Sequence, residues 1–156
     1  MRALLFTLVI FGNLSMASEF LCLQGYLWSS GSSTPLVGVE KKACQDALEK
    51  SKNGFLCVAN YLWNTGSNLP ILGVNQKSCQ EALDSSKSGF ICVSEYLWNT
   101  GSNLPLLGLN KNACQDAVQK SKNGFLCASG YLWNSKGRLP LIGISTEQCL
   151  KEIAQF

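Results

Sequence analysis

FLCVANYLWNTGSNLP, Phe55 to Pro70, is the stretch whose reading decides the fold of this chain. The pattern returns at Phe20–Pro35, Phe90–Pro105 and Phe125–Pro140, each time 35 residues on. Every copy holds a cysteine, a Tyr-Leu-Trp triplet, a polar loop and, except for Thr34 in the first, a Leu-Pro pair. A period in the range of 20–50 residues is the signature of a repeat array. The units run 20–54, 55–89, 90–124 and 125–156, and the second and third match at 22 of 35 positions. They leave no room after residue 19 for a linker or a second kind of domain.

Within a unit the order reads as strand, loop, short strand, helix, which predicts an α+β fold of four stapled repeats. Aromatic and aliphatic side chains from Phe55 to Trp63 suit a pleated surface. Read as one strand, alternation places Phe55, Cys57, Tyr61 and Trp63 on one face, and Leu56, Val58 and Leu62 on the other. The loop from Asn64 to Asn68 is built of turn-forming residues. Pro70 opens a short extended piece, Ile71 to Val74, that contains Gly73. Asn75, Asn110 and Ser145 stand where helix N-caps are needed, Glu40 being a weaker cap in the first unit. Gly54, Gly89 and Gly124 read as helix C-terminal glycines.

The first seventeen residues have the pattern of a secretory signal: Arg2, the apolar run Ala3 to Phe11, then the small residues at Ser15 and Ala17. That run is about half the length that spans a bilayer. The expected mature protein is therefore secreted, with no membrane span. Export makes the eight cysteines disulfide candidates, and with no histidine and no C-x-x-C pair a metal site is not expected. Without Arg2 there are twelve basic and ten acidic residues, a balance that gives no reason to expect nucleic acid as a partner. The one standard glycosylation sequon, at Asn13, lies inside the signal.

Cys22, Cys44, Cys57, Cys79, Cys92, Cys114, Cys127 and Cys149 alternate at gaps of 22 and 13. Two pairings fit. One closes each unit on itself, 22–44, 57–79, 92–114 and 127–149. The other links neighbouring units, 44–57, 79–92 and 114–127, and leaves the end cysteines over. Chain topology favours the first, because the strand cysteine and the first helical turn should meet at one end of the unit. A unit of 35 residues is below the roughly 40 at which a core alone sustains folding, so a staple is needed.

Catalysis is not expected and no cofactor is implied. Without histidine, base chemistry falls to carboxylates, and Glu95 is a lone acid whose counterparts are Gly25, Asn60 and Gly130. The reading that accounts for most of the chain is a secreted structural protein that assembles into an extracellular or surface filament or coat, with itself or with other extracellular proteins. Its expected assembly face is the aliphatic back of the strands: Leu21, Leu23, Leu27, Leu56, Val58, Leu62, Ile91, Val93, Leu97, Leu126 and Leu132. The alternative is a multivalent glycan binder that uses the Tyr and Trp side chains with a loop formed by Asn64, Thr65, Asn68, Asn99, Thr100 and Asn103. In the last helix, Leu150, Ile153 and Phe156 read as either a cap or a docking stripe.

Overall fold

The computed structural model describes residues 19–156, so the signal pattern at 1–17 lies outside the described residues. It contains four copies of a three-stranded antiparallel sheet followed by a helix. Unit 1 comprises β1 (Phe20–Leu23), β2 (Tyr26–Ser29), β3 (Val37–Gly38) and α1 (Lys41–Glu49). Unit 2 comprises β4 (Phe55–Val58), β5 (Tyr61–Asn64), β6 (Leu72–Gly73) and α2 (Gln76–Asp84). Unit 3 comprises β7 (Phe90–Val93), β8 (Tyr96–Asn99), β9 (Leu107–Gly108) and α3 (Lys111–Lys120). Unit 4 comprises β10 (Phe125–Ala128), β11 (Tyr131–Asn134), β12 (Ile142–Gly143) and α4 (Thr146–Ile153).

The long first strand expected from sequence is a hairpin. Ala59 and Asn60 both take positive φ, 54° and 60°, and reverse the chain between β4 and β5. Two consecutive left-handed residues make a type I′ turn, whose twist matches that of the flanking strands. The same turn falls on Gln24-Gly25, Ser94-Glu95 and Ser129-Gly130, so Glu95 sits at an exposed turn tip and not within a strand.

That turn changes which residues share a face. Cys57 pairs with Leu62, and Leu56 with Trp63. Directly paired residues point the same way. Phe55, Cys57, Leu62 and Asn64 therefore form one face, while Leu56, Val58, Tyr61 and Trp63 form the other. The expectation that the Tyr-Trp pair shares a face with the cysteine is overturned, because a two-residue turn shifts the alternation by one.

The glycines before each new unit also differ from expectation. Gly54, Gly89 and Gly124 have φ of 80–82° and follow Asn53, Ser88 and Asn123, which are also left-handed. They complete a second tight turn, closed by Lys52 pairing with Phe55 and its equivalents, and are not helix caps. The N-caps are as expected: Asn75, Asn110 and Ser145 accept from the backbone N–H three residues on, and Glu40 makes no such bond. Gly73 lies opposite Tyr61, where an added Cβ would stand 3.5 Å from the tyrosine ring, so the ring covers the glycine.

Each helix packs on the cysteine face of its own sheet. The four disulfides are 22–44, 57–79, 92–114 and 127–149, with Cα atoms 5.9–6.0 Å apart. The other side of the helix meets the next sheet. Leu56, Val58 and Trp63 of unit 2 are buried with Cys44 and Ala47 of α1. Ile91, Val93 and Trp98 pack with Cys79 and Leu83 of α2, and Leu126, Ala128 and Trp133 with Cys114, Ala117 and Val118 of α3. Sheets and helices thus interleave through the array, and each unit is completed by its predecessor.

Candidate interaction surface

The interleaving separates the eleven expected assembly residues into two sets. Leu27, Leu62, Leu97 and Leu132 lie on the cysteine face and pack on the helix of their own unit. Leu56, Val58, Ile91, Val93 and Leu126 lie on the opposite face and are sealed by the preceding helix. Leu21 and Leu23 occupy the same positions in unit 1, where no unit precedes them among the described residues. They are 55% and 52% exposed, against 0–7% for their equivalents in units 2 to 4. Tyr26 and Trp28 share this face by register, and Gly38 lies beside Tyr26. Burying a leucine side chain is worth about 1.5–3 kcal/mol, so two left half-exposed on one flat face are a standing incentive to association.

At the other end, unit 4 departs from the repeat at positions where units 1 to 3 touch their successors. In α1 the side toward unit 2 presents Ala43, Asp46, Ala47 and Lys50, and α2 and α3 repeat the small residues as Ser78 and Ala82, then Ala113 and Ala117. In α4 the equivalents are Gln148 and Glu152, both exposed. The loops change as well. A Cβ on Gly31, Gly66 or Gly101 would collide with the backbone of Thr65, Thr100 or Lys136 in the next unit, so only glycine allows these loops to stack. Unit 4 has Lys136 at that position, with no following loop to meet among the described residues. The end is not polar throughout, because Leu141 and Ile142 are 50% and 56% exposed beside α4. Of the side chains read as a cap or docking stripe, Ile153 is buried with the last disulfide and Leu150 packs against it. Phe156 stacks on Phe125 with ring centroids 5.5 Å apart.

The expected ligand loop is mostly committed to holding the array. Asn64 is fully buried and its Nδ2 donates to the carbonyls of Asn99, at 3.1 Å, and Ser102, at 2.7 Å. Asn99 donates likewise to Asn134 and Gly137 at 3.1 and 2.6 Å. Thr100 Oγ1 donates to Ser135 O at 2.9 Å. Thr65 and Asn103 are half-buried, which leaves Asn68 as the exposed polar member. The Tyr-Trp pairs separate too: Trp63, Trp98 and Trp133 are buried, while the tyrosines at the hairpin edge are not.

A second ladder was not apparent from sequence. Lys52 Nζ donates to Asp84 O at 2.9 Å, Lys87 Nζ to Gln119 O, and Lys122 Nζ to Ala154 O at 3.0 Å. Each lysine satisfies a carbonyl at the end of the next unit's helix, where a positive charge is also favoured by the helix dipole. The signal for it is the constant Ser-Lys pair before each turn, which reads as a solvated charge until the stacking order is known.

Among the described residues no group of three His, Cys, Asp or Glu side chains is placed to hold a metal. No helix among them is long and apolar enough to cross a membrane. The described residues form a disulfide-stapled α+β repeat array in which they leave the sheet face of unit 1 uncovered. No family model matches the chain, and no curated protein or solved structure matches it.

Proposed function

We propose that the protein is a secreted, non-enzymatic structural element that assembles with other extracellular repeat chains into an extracellular or cell-surface filament or coat. The joint is the open sheet face of unit 1. The observation that carries this reading is the contrast at one repeat position, where Leu21 is 55% exposed and Leu56, Ile91 and Leu126 are fully buried. Four disulfides, with no free cysteine among the described residues, support an oxidising extracellular setting.

The test is imaging and sedimentation of protein recovered from its native extracellular material, beside a Leu21→Glu/Leu23→Glu variant. The native chain is expected in large assemblies and the variant largely outside them. Recovery of the native chain only as free monomer would overturn the proposal, as would equal incorporation of the variant.

Multivalent glycan binding is the second reading. It rests on Tyr26, Tyr61, Tyr96 and Tyr131, which stay 43–47% exposed in all four units. Binding on a glycan array that is lost with Tyr61→Ala/Tyr96→Ala would favour it, and an array without binding would remove it.

A further inference from the structure

The face of unit 1 has three covered counterparts in the same molecule, and each is covered in the same way. Leu56 and Val58 lie under α1, Ile91 and Val93 under α2, Leu126 and Ala128 under α3. The covering helices are nine or ten residues long and amphipathic, and place Ala47, Ala82 or Ala117 against the sheet, with Ala43, Ser78 or Ala113 exposed one turn earlier beside it. Small residues are needed there because the helix lies close to the sheet: Ala47 and Ala117 are only 6% and 8% exposed. The contact extends to the loops, through the stacked glycines and the asparagine bonds.

We propose that the sheet face of unit 1 is a docking site for a short amphipathic helix with alanine or serine four residues apart, presented by another repeat chain. Glu152 and Lys136 keep this chain's own last unit from filling it. The inference rests on the assembly reading above and names the occupant of its joint. A second copy docking by α4 would place the Glu152 carboxylate over Leu21, Leu23 and Trp28, where the internal helices place alanine. A buried carboxylate with no partner is strongly disfavoured. Lys136 would put a side chain where only hydrogen fits against the neighbouring loop. Leu141 and Ile142 keep part of that end apolar, and Glu152 and Lys136 impose most of the bar. The partner is therefore a chain whose final unit keeps glycine and alanine at these positions, and this chain ends the stack that it joins.

The protein can be converted into its own probe. Lys136→Gly/Gln148→Ala/Glu152→Ala gives the last unit the glycine and small side chains that units 1 to 3 carry at these positions, and Asn134, whose Oδ1 accepts from the N–H groups of residues 136 and 137, keeps its Nδ2 for the next molecule. By analytical ultracentrifugation this variant is expected to form head-to-tail polymers, with mean mass rising several-fold with concentration. Adding Leu21→Glu/Leu23→Glu should return it to single molecules. Wild-type protein mixed in should shorten the polymers, because it offers the face but no helix. A folded triple variant that sediments like wild type would overturn the proposal. Glu152→Ala alone, a change at one exposed side chain, is the second variant should the triple one fail to fold, and it should show a weaker rise with concentration; no rise would count against the proposal. A wild-type dimer abolished by Leu21→Glu/Leu23→Glu would put a second sheet on the face in place of a helix and would also overturn it. So would polymerisation only after removal of residues 1–18, which would mean that the chain's own leader is the occupant. Polymers of the triple variant alongside purely monomeric native material would uphold the docking site and reject the proposed function. The reverse outcome would do the opposite.

Discussion

Ala117→Glu should destabilise the array by about 3–5 kcal/mol, the range for an uncompensated charge placed in a buried site. Ala117 lies between α3 and the sheet of unit 4, in contact with the cluster that includes Leu126, Ala128 and Trp133. Glutamate is the residue unit 4 itself carries at this position, as Glu152, where it is solvated. Glu152→Ala should therefore change stability by no more than about 0.5 kcal/mol, as surface substitutions usually do. Urea denaturation followed by tryptophan fluorescence separates the two. In a stack stabilised by nearest-neighbour contacts, breaking one interface uncouples the units on either side. The Ala117→Glu variant should accordingly unfold in two steps, with the Trp133 emission shifting first. A single transition with an unchanged midpoint would show that α3 does not seal unit 4.

Loss of the staples should have the larger cumulative effect. Each disulfide joins cysteines 22 residues apart. On the chain-entropy model a loop of that size contributes roughly 3 kcal/mol. The units are too small for their cores to offset conformational entropy unaided. Cys57→Ser/Cys79→Ser should lower stability by about 3 kcal/mol, and full reduction should abolish the cooperative thermal transition. Circular dichroism melts with and without reductant measure both. A reduced protein that melts as the oxidised one does would place stability in the inter-unit ladders instead.

Much of this architecture can be read from the residues. The period of 35, the eight cysteines and their pairing within units, the α+β order and the helix N-caps at Asn75, Asn110 and Ser145 all carry local signals. The hairpin does not. A type I′ turn is ordinarily announced by Asn-Gly or Asp-Gly, whereas the pairs here are Gln24-Gly25, Ala59-Asn60, Ser94-Glu95 and Ser129-Gly130. Ala59 and Ser94 hold left-handed backbone only because the flanking strands and the stack over-determine them. With the turn hidden, Phe55 to Trp63 reads as one strand, and the aromatic side chains fall on the wrong face. The candidate surface is hidden for a related reason. Leu21 and Leu56 both stand in Phe-Leu-Cys ahead of Tyr-Leu-Trp, and the stacking order exposes one and buries the other. Asn64 looks like a ligand residue because its partners, the carbonyls of Asn99 and Ser102, lie 35 and 38 residues away. Glu152 and Lys136 depart from the repeat in sequence, and what the departures mean depends on knowing that Ala117 and Gly101 touch the next unit.

The account turns on helices sealing the sheet faces of units 2, 3 and 4 and leaving that of unit 1 open. Hydroxyl-radical footprinting of the oxidised protein, read by mass spectrometry, tests this most directly, because leucine and isoleucine side chains are labelled according to their exposure. At this repeat position Leu21 is expected to be labelled as readily as the exposed Leu69 and Leu104, with Leu56, Ile91 and Leu126 protected. Comparable labelling of all four repeat positions would contradict the stacked array and the single open face that depends on it.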